Sequence, residues 1–221
     1  MIQLSRTGTV VSGSPADLER LRDQFEREHL VLLPRFLDPG LFQFIQSDIH
    51  RAEFQEYVHD HLVPPARELV MNGGLAPGLL ELLLMNDPKL FDAMQRICGS
   101  GAIGSFTGRV YRMLPGPEHH DAWHDDVGHA RMIAISVNLS TDVYAGGVLE
   151  IRDRESHTVV REIANTGAGD AIVFRVSPRL EHRVTEVTGA VPKTAYAGWF
   201  CAEPVFDLLT HIRTSAAPPA R

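Results

Sequence analysis

Alternation of apolar and polar residues through the second half of the chain predicts a series of short β-strands. Arg109, Tyr111 and Met113 stand at every second position, and an apolar run from Met132 to Leu139 follows after a stretch of irregular composition. A period of two places such residues on one face of a strand. We expect seven strands, near residues 104–114, 131–140, 147–152, 158–163, 170–176, 181–187 and 193–201.

The last two of these strands are predicted to form a β-hairpin, because residues 188–192 read Thr-Gly-Ala-Val-Pro, which is typical of a turn. His182 and Val184 share a face of the first strand, and Lys193 and Trp199 share a face of the second. A lysine on an inward, apolar face is costly to bury unless it meets an anion. Lys193 therefore indicates an anion site, and the alternative is a lysine at the strand edge whose ammonium extends to water.

The first hundred residues show helical signals instead. Ser14 followed by Pro15 is a typical start of a helix. Asp-Pro pairs at 38–39 and 87–88 predict the starts of two further helices, and the apolar residues 30–33 predict one short strand. These residues are expected to form a helical support for the strands that follow.

Size and composition predict a single domain. The chain has 221 residues, of which 44% are hydrophobic, and no low-complexity linker divides it. We expect one domain over residues 1–221, with helical support over 1–100 and a β core over 101–203. Cys98 and Cys201 are widely separated and form no C-x-x-C, so they are expected to be free or buried thiols.

Charge and hydropathy argue against two kinds of partner. The formal net charge is −7 and no run of Lys and Arg stands out, which disfavours a nucleic-acid substrate. The sequence has no signal-peptide core and no apolar run of about 18 residues, so no membrane association is expected. A cytoplasmic location is predicted on that basis.

Three residues predict a metal site. His124 and Asp126 form an H-x-D triplet between two predicted strands, and His182 lies on a later strand. Two histidines and a carboxylate on one face of an octahedral ion leave three positions open, which suits an Fe(II) ion that binds a chelating co-substrate and dioxygen. An oxygenase is therefore the expected class of protein.

An H-x-D triplet alone carries little information in a chain with 11 histidines and 28 acidic residues. His119-His120-Asp121 has the same pattern, but it belongs to the insert Pro115–Asp121, which is rich in Pro and Gly and should be irregular. The later triplet is preferred because predicted strands flank it. His59-Asp60-His61 is disfavoured as a metal site, because helical neighbours one and two residues apart do not share a face.

The segment from Tyr111 to Phe200 resembles the 2-oxoglutarate- and Fe(II)-dependent oxygenases, especially their prolyl-hydroxylase-like branch. That family has a tyrosine before the metal arm, then H-x-D, a Gly-Gly before an apolar strand, a second His followed by Val, and a basic residue before an aromatic-ended strand. Lysine stands here where many relatives have arginine, and the Pro/Gly-rich insert is also unusual. The matching residues in this chain are Tyr111, His124 with Asp126, Gly146-Gly147-Val148-Leu149, His182-x-Val184, and Lys193 ahead of Trp199.

The resemblance implies a role for each matching residue. His124, Asp126 and His182 would bind the iron. Lys193 would pair with the distal carboxylate of 2-oxoglutarate, helped by the Tyr111 hydroxyl.

Three polar residues of the strand near 131–140 are further candidates. Ser136 and Asn138 share one face and are expected to line the same pocket, although both fit an ordinary barrel interior as well. Arg131 is a candidate for substrate contact, and its alternative is a surface arginine.

The resemblance also implies the fold and the reaction. The fold would be mainly β with N-terminal helices, built on a double-stranded β-helix, a jelly-roll of the cupin kind. The reaction would couple decarboxylation of 2-oxoglutarate to succinate and CO2 with hydroxylation by O2, because halogenating relatives lack a carboxylate where Asp126 stands. We expect a small molecule or amino-acid-like substrate, and the insert Pro115–Asp121 is a candidate lid. The alternatives are a prolyl hydroxylase of proteins or peptides, and a metal-binding cupin protein or enzyme that does not use 2-oxoglutarate.

Overall fold

The computed structural model describes residues 1–60, 65–85, 87–164 and 167–203, and within these it has four helices and fifteen strands. The helices are α1 (Pro15–Glu28), α2 (Pro39–Ile49), α3 (Ala76–Met85) and α4 (Pro88–Cys98). The strands are β1 (Ile2–Ser5), β2 (Gly8–Val11), β3 (Leu30–Leu33), β4 (Glu53–His59), β5 (Ala66–Asn72), β6 (Ser105–Met113), β7 (Asp121–His124), β8 (Arg131–Asn138), β9 (Ala145–Gly146), β10 (Leu149–Asp153), β11 (Val159–Ile163), β12 (Ala171–Arg175), β13 (Leu180–Val184), β14 (Val187–Thr188) and β15 (Lys193–Cys201).

Two antiparallel sheets face each other and form the β core. The larger sheet has seven strands in the order β3-β12-β8-β15-β6-β5-β4, and the smaller has four in the order β11-β10-β13-β7. The predicted double-stranded β-helix with N-terminal helices is confirmed. The buried apolar side chains that pack together between the sheets include Ala134, Leu149, Ile151, Ile172, Phe174 and Leu180.

The helices cover the opposite face of the larger sheet. Alternation along β8 explains this arrangement, because Ala134 packs between the sheets while Ile133 and Ile135 pack with the helices. Full burial of an isoleucine, leucine, methionine or phenylalanine side chain contributes about 1.5–3 kcal/mol to the stability of the fold, relative to leaving it exposed. The helical residues in this second core include Phe25, Leu41, Ile45, Leu80, Leu90 and Met94.

The predicted helix starts are confirmed, and their caps explain them. The Asp38 carboxylate accepts hydrogen bonds from the backbone N–H groups of Gly40 and Leu41, and Asp87 does the same for the start of α4. Each satisfies donors that the first helical turn leaves unpaired. Gly99 ends α4 in a left-handed conformation with φ of 61°, which glycine adopts without steric cost.

The predicted hairpin of the last two strands is wrong. β13 lies in the smaller sheet between β10 and β7, whereas β15 lies in the larger sheet between β8 and β6. Both edges of each strand are therefore hydrogen-bonded to other strands, and the segment between them crosses from one sheet to the other. The turn composition of residues 188–192 indicated a change of direction but not the partner of either strand.

The first hundred residues contain more strands than the sequence predicted. Besides β3, the structure has the β1–β2 hairpin and the pair β4–β5, which extends the larger sheet next to β6. β4 is exposed along most of its length, so it lacks the apolar alternation that would have revealed it. His59 ends this strand and is not helical, and His61 lies outside the described residues.

Cys98 and Cys201 are both free and buried, as the sequence predicted. None of the helices in the described ranges is long and apolar enough to cross a membrane.

Candidate metal centre

The three predicted metal ligands lie together at the mouth of the β core. His124 ends β7 and is the registered partner of His182 on β13, so that their ring centroids are 4.2 Å apart. Asp126 follows in a loop, with its Oδ2 3.2 Å from His182 Nε2 and its Oδ1 3.8 Å from His124 Nε2. Among the described residues, these are the three whose candidate ligand atoms all lie within 4.8 Å of one another.

The donor set and its local geometry fit an Fe(II) ion. The backbone carbonyl of Ala122 lies 2.7 Å from His124 Nδ1. Because a carbonyl oxygen can only accept, Nδ1 carries the hydrogen and Nε2 offers its lone pair to a metal. The two imidazoles and one carboxylate are the ligands of a facial triad that leaves three coordination positions open.

Two side chains hold the Asp126 carboxylate. The indole Nε1–H of Trp199 donates to Oδ2 at 2.7 Å, and Arg131 Nη1 lies 3.1 Å from Oδ1. The Arg131 guanidinium also stacks on the Trp199 ring, 3.9 Å from its centroid. Burial would raise the pKa of Asp126, but the hydrogen bonds and charges of His182, His124 and Trp199 outweigh it and hold the pKa well below its usual range.

Lys193, the predicted anion site, is buried at the start of β15. Its Nζ donates to the Gly147 carbonyl at 2.9 Å, and no carboxylate of the described residues lies within 4.0 Å of it. Burial of the ammonium lowers the pKa of Lys193 from 10.5 to about 8. The charge of Asp121 acts on Lys193 only from beyond ion-pair distance. A buried cation without a directly bound carboxylate is suited to bind an anionic group.

One cavity of about 270 Å³, called here the central cavity, connects Lys193 with the metal ligands. Tyr111 and Ser136 line it, as predicted, and burial raises the pKa of the Tyr111 hydroxyl. Arg131 lines it too, although its guanidinium is engaged with Asp126 and Trp199. The central cavity is lined by His59, Arg67, Glu68, Arg109, Tyr111, Met113, His120, Asp121, His124, Asp126, Arg131, Ala134, Ile135, Ser136, Gly147, Leu149, Ile163, Ile172, Phe174, His182, Val184, Lys193, Ala197, Gly198 and Trp199.

The structure places Asn138 outside the central cavity. Its side-chain amide donates to the Gly167 carbonyl at 3.0 Å, and its oxygen accepts from the Ser140 backbone at 2.9 Å. It is 1% exposed. The two polar ends hold the loop that follows β8 and the loop that precedes β12, which agrees with the alternative of an ordinary interior residue.

Asp121 was expected in an irregular insert, and that expectation is wrong. It is the first residue of β7 and pairs with Val184 of β13. Its carboxylate lines the central cavity, with Oδ2 3.6 Å from His124 Nε2. Asp121 and His124 both line the central cavity, although regular alternation would place residues three apart on opposite faces of a strand. The register shift between β7 and β13, which leaves β7 with one extra residue, accounts for this, and no alternation in the sequence revealed it.

A partly buried ionic group on one side of the cavity, centred on the Glu68 carboxylate, was not predicted. Arg109 contacts Glu68 through Nη2 at 2.7 Å, and His59 Nε2 lies 3.1 Å from the same carboxylate oxygen. Burial would raise the pKa of Glu68, but the hydrogen bonds from His59 and Arg109 lower it overall. These residues come from β4, β5 and β6, and only the pairing of strands that the sequence did not reveal brings them together.

The chain is similar to known proteins both in sequence motif and in fold. Residues 108–201 match the family model described as the 2OG-Fe(II) oxygenase superfamily, and no curated protein sequence matches the chain. An oxidoreductase of the 2OG-Fe(II) oxygenase family from Burkholderia pseudomallei is similar in structure, with 15% identity, a TM-score of 0.64, and coverage of 86% of this chain and 93% of that chain.

Two further solved structures were obtained with bound molecules. A prolyl hydroxylase from Trichoplax adhaerens, in complex with a peptide fragment of the hypoxia inducible factor oxygen degradation domain, is 14% identical with a TM-score of 0.62, and covers 94% of this chain and 99% of that chain. The epimerase SnoN, in complex with Fe3+, alpha ketoglutarate and nogalamycin RO, is 15% identical with a TM-score of 0.59, and covers 94% of each chain. The resemblance inferred from the sequence motifs is confirmed.

Proposed function

We propose that this enzyme, whose residues 108–201 belong to the 2OG-Fe(II) oxygenase superfamily, hydroxylates a small molecule or an amino-acid-like substrate. The family uses Fe(II), 2-oxoglutarate and dioxygen, which together supply decarboxylation of 2-oxoglutarate to succinate and CO2 with transfer of one oxygen atom to a substrate. One observation carries the proposal. The buried ammonium of Lys193 and the three candidate metal ligands line the same cavity.

His124, Asp126 and His182 are the proposed iron ligands. The hydrogen bond from His124 Nδ1 to the Ala122 carbonyl keeps the Nε2 lone pair directed at the metal. Trp199 and Arg131 fix the carboxylate of Asp126 through a hydrogen bond and an ion pair. Arg131 is therefore assigned a positioning role, in place of the substrate contact expected from the sequence.

Lys193 is the proposed partner of the distal carboxylate of 2-oxoglutarate. Its ammonium is the cation of the central cavity that has no carboxylate within 4.0 Å among the described residues. The hydroxyls of Tyr111 and Ser136 line the same cavity and can donate to the carboxylate. Apolar side chains such as Leu149 and Phe174 line the cavity too and reduce the water that competes for these contacts.

The size of the cavity supports a small substrate or a single inserted side chain. A volume of about 270 Å³ is slightly below the range of about 300–1,000 Å³ that is typical of small-molecule sites. Retention of Asp126 as a ligand leaves no coordination position vacated for a halide, which favours hydroxylation. A cytoplasmic enzyme is also proposed, because both cysteines are free and such thiols persist in reducing compartments.

The test is a turnover assay with iron-loaded protein, 2-oxoglutarate and air. Separate pools of amino acids and their derivatives, of proline-containing peptides, and of methylated oligonucleotides are added, and succinate is measured above the uncoupled background. We expect the first pool to stimulate succinate formation and to gain the mass of one oxygen atom. The Asp126→Ala variant is the control for iron that is free in solution.

Each other result identifies a different function. Stimulation by peptides alone would favour a prolyl hydroxylase, which has a structural neighbour that was solved with a peptide fragment. Stimulation by oligonucleotides alone, with release of formaldehyde, would indicate a demethylase. If 2-oxoglutarate neither binds nor is consumed, the chain is a metal-binding cupin instead.

A further inference from the structure

The positively charged side chains of the central cavity are already engaged. Arg109 contacts Glu68 at 2.7 Å, Arg131 contacts Asp126 at 3.1 Å, and Arg67 contacts an exposed glutamate, Glu56, at 3.3 Å. Lys193 is assigned to 2-oxoglutarate by the proposed function. Within the described residues, the cavity thus offers no further lysine or arginine to an anionic substrate.

One carboxylate of the cavity, that of Asp121, is not paired with a lysine or an arginine among the described residues. Asp121 has no lysine or arginine within 4.0 Å among the described residues, and its close charged contact is His124 Nε2 at 3.6 Å. Lys193 and Arg109 interact with its charge only beyond ion-pair distance. That nitrogen is the proposed metal-binding atom, and a metal-bound Nε2 has no hydrogen to donate. Asp121 is also not one of the three residues whose ligand atoms all lie within 4.8 Å of one another. It therefore lies beside the metal site rather than in it.

We propose that Asp121 binds a protonated amino or guanidino group, so that the substrates are small molecules that carry such a group. This inference rests on the proposed function, because it assumes that the metal and 2-oxoglutarate occupy their sites. A carboxylate in a partly enclosed, partly apolar cavity forms strong charge-assisted hydrogen bonds. Its side chain is 31% exposed, so a ligand in the cavity can reach it. The cationic group would lie next to His124 and so bring the rest of a small substrate close to the metal.

The experiment measures how strongly a bound Mn(II) ion relaxes the methyl protons of small probes. Methylguanidinium and N-methylurea are nearly equal in size and differ in charge, and the paramagnetic effect falls steeply with distance, so distant surface sites contribute little. Wild-type protein is loaded with Mn(II), with and without 2-oxoglutarate, and Mg(II)-loaded protein gives the diamagnetic baseline. We expect binding of methylguanidinium to weaken about tenfold in the Asp121→Asn variant, the effect of losing one charge-assisted hydrogen bond. Binding of N-methylurea should change less than about twofold.

The controls separate local recognition from overall charge. Asp142→Asn removes the same charge from an exposed residue outside the central cavity and should leave methylguanidinium binding unchanged. Equal relaxation of the two probes in the wild type, or a preference for the cation that survives Asp121→Asn, would overturn the proposal. So would a loss of Mn(II) affinity in Asp121→Asn, since Asp121 would then be a metal ligand. Failure of the proposed function is seen separately, as absence of 2-oxoglutarate binding to the Mn(II)-loaded wild type.

Discussion

Replacement of Lys193 by methionine should weaken 2-oxoglutarate binding and stabilise the free protein at the same time. The variant keeps a long side chain but removes the buried ammonium. A bound carboxylate would then lack its ion-pair partner, which costs about 3 kcal/mol for a buried charge. At about 1.4 kcal/mol per factor of ten, the dissociation constant should rise about a hundredfold.

The expected gain in stability follows from the pKa of Lys193. A shift from 10.5 to about 8 means that burial disfavours the charged form by about 3 kcal/mol at neutral pH. The variant also loses the hydrogen bond to the Gly147 carbonyl, which contributes about 1 kcal/mol. The free energy of unfolding should therefore increase by about 2 kcal/mol.

The sign of the pH dependence provides a second check. Between about pH 8 and 10.5 the unfolded state binds more protons at Lys193 than the folded state does, so this residue makes the wild type more stable as pH rises through that window. The Lys193→Met variant lacks this contribution. The difference in stability between variant and wild type should shrink over the same range.

The assays are urea unfolding of the metal-free proteins and calorimetric titration of 2-oxoglutarate into the Mn(II)-loaded proteins. Lys89→Met removes an exposed lysine from α4 and is the matched control, expected to change neither quantity. Lys193→Arg keeps the charge and should retain most of the affinity. Unchanged 2-oxoglutarate affinity in Lys193→Met would refute the assignment of this residue, and a less stable variant would refute the cost assigned to burial of its ammonium.

Three further substitutions test the rest of the site. Trp199→Phe keeps an aromatic ring but removes the donor to Asp126, so Co(II) affinity, measured by visible absorption, should fall about tenfold, and an unchanged value would contradict a positioning role. Asp126→Ala should abolish Fe(II) binding in calorimetry, and retained affinity would disprove the ligand assignment. Glu68→Gln leaves Arg109 without its carboxylate and should lower the free energy of unfolding by about 2 kcal/mol at neutral pH. Since the folded-state pKa of Glu68 is lowered, the wild type should lose the stability that ionised Glu68 contributes as pH falls below about 4.5. A difference in stability between wild type and Glu68→Gln that does not change with pH would contradict this contribution.

Local signals in the sequence were enough to predict most strands and helix starts. The Asp-Pro pairs begin α2 and α4 because the aspartate caps the first turn, and such contacts lie within three residues of each other. Strand partners depend on residues far apart in sequence, which is why the hairpin of β13 and β15 was wrong. The pair β4–β5 was missed for a related reason, since exposure removes the apolar alternation that marks a strand.

In the candidate site, too, the residues of a local motif could be predicted, whereas the residues brought together by distant strands could not. His124, Asp126, His182 and Lys193 could be predicted because a spaced motif carries them, and each is found at the central cavity. The ionic group at Glu68 arises from tertiary contacts, and no short pattern encodes it. Asn138 shares a strand face with Ser136, yet a periodic pattern cannot tell where along the strand the cavity ends.

The two histidines of the metal site lie on paired strands, whereas the aspartate lies on a loop. His124 and His182 are registered partners on hydrogen-bonded strands, so the spacing of the sheet determines the distance between the imidazoles. Asp126 lies on the loop between β7 and β8, with a φ of 56° that aspartate tolerates better than most residues. Insertions or substitutions in that loop would reorient one ligand while the histidine pair keeps its geometry. The scaffold is therefore suited to exchange of its third ligand by loop engineering.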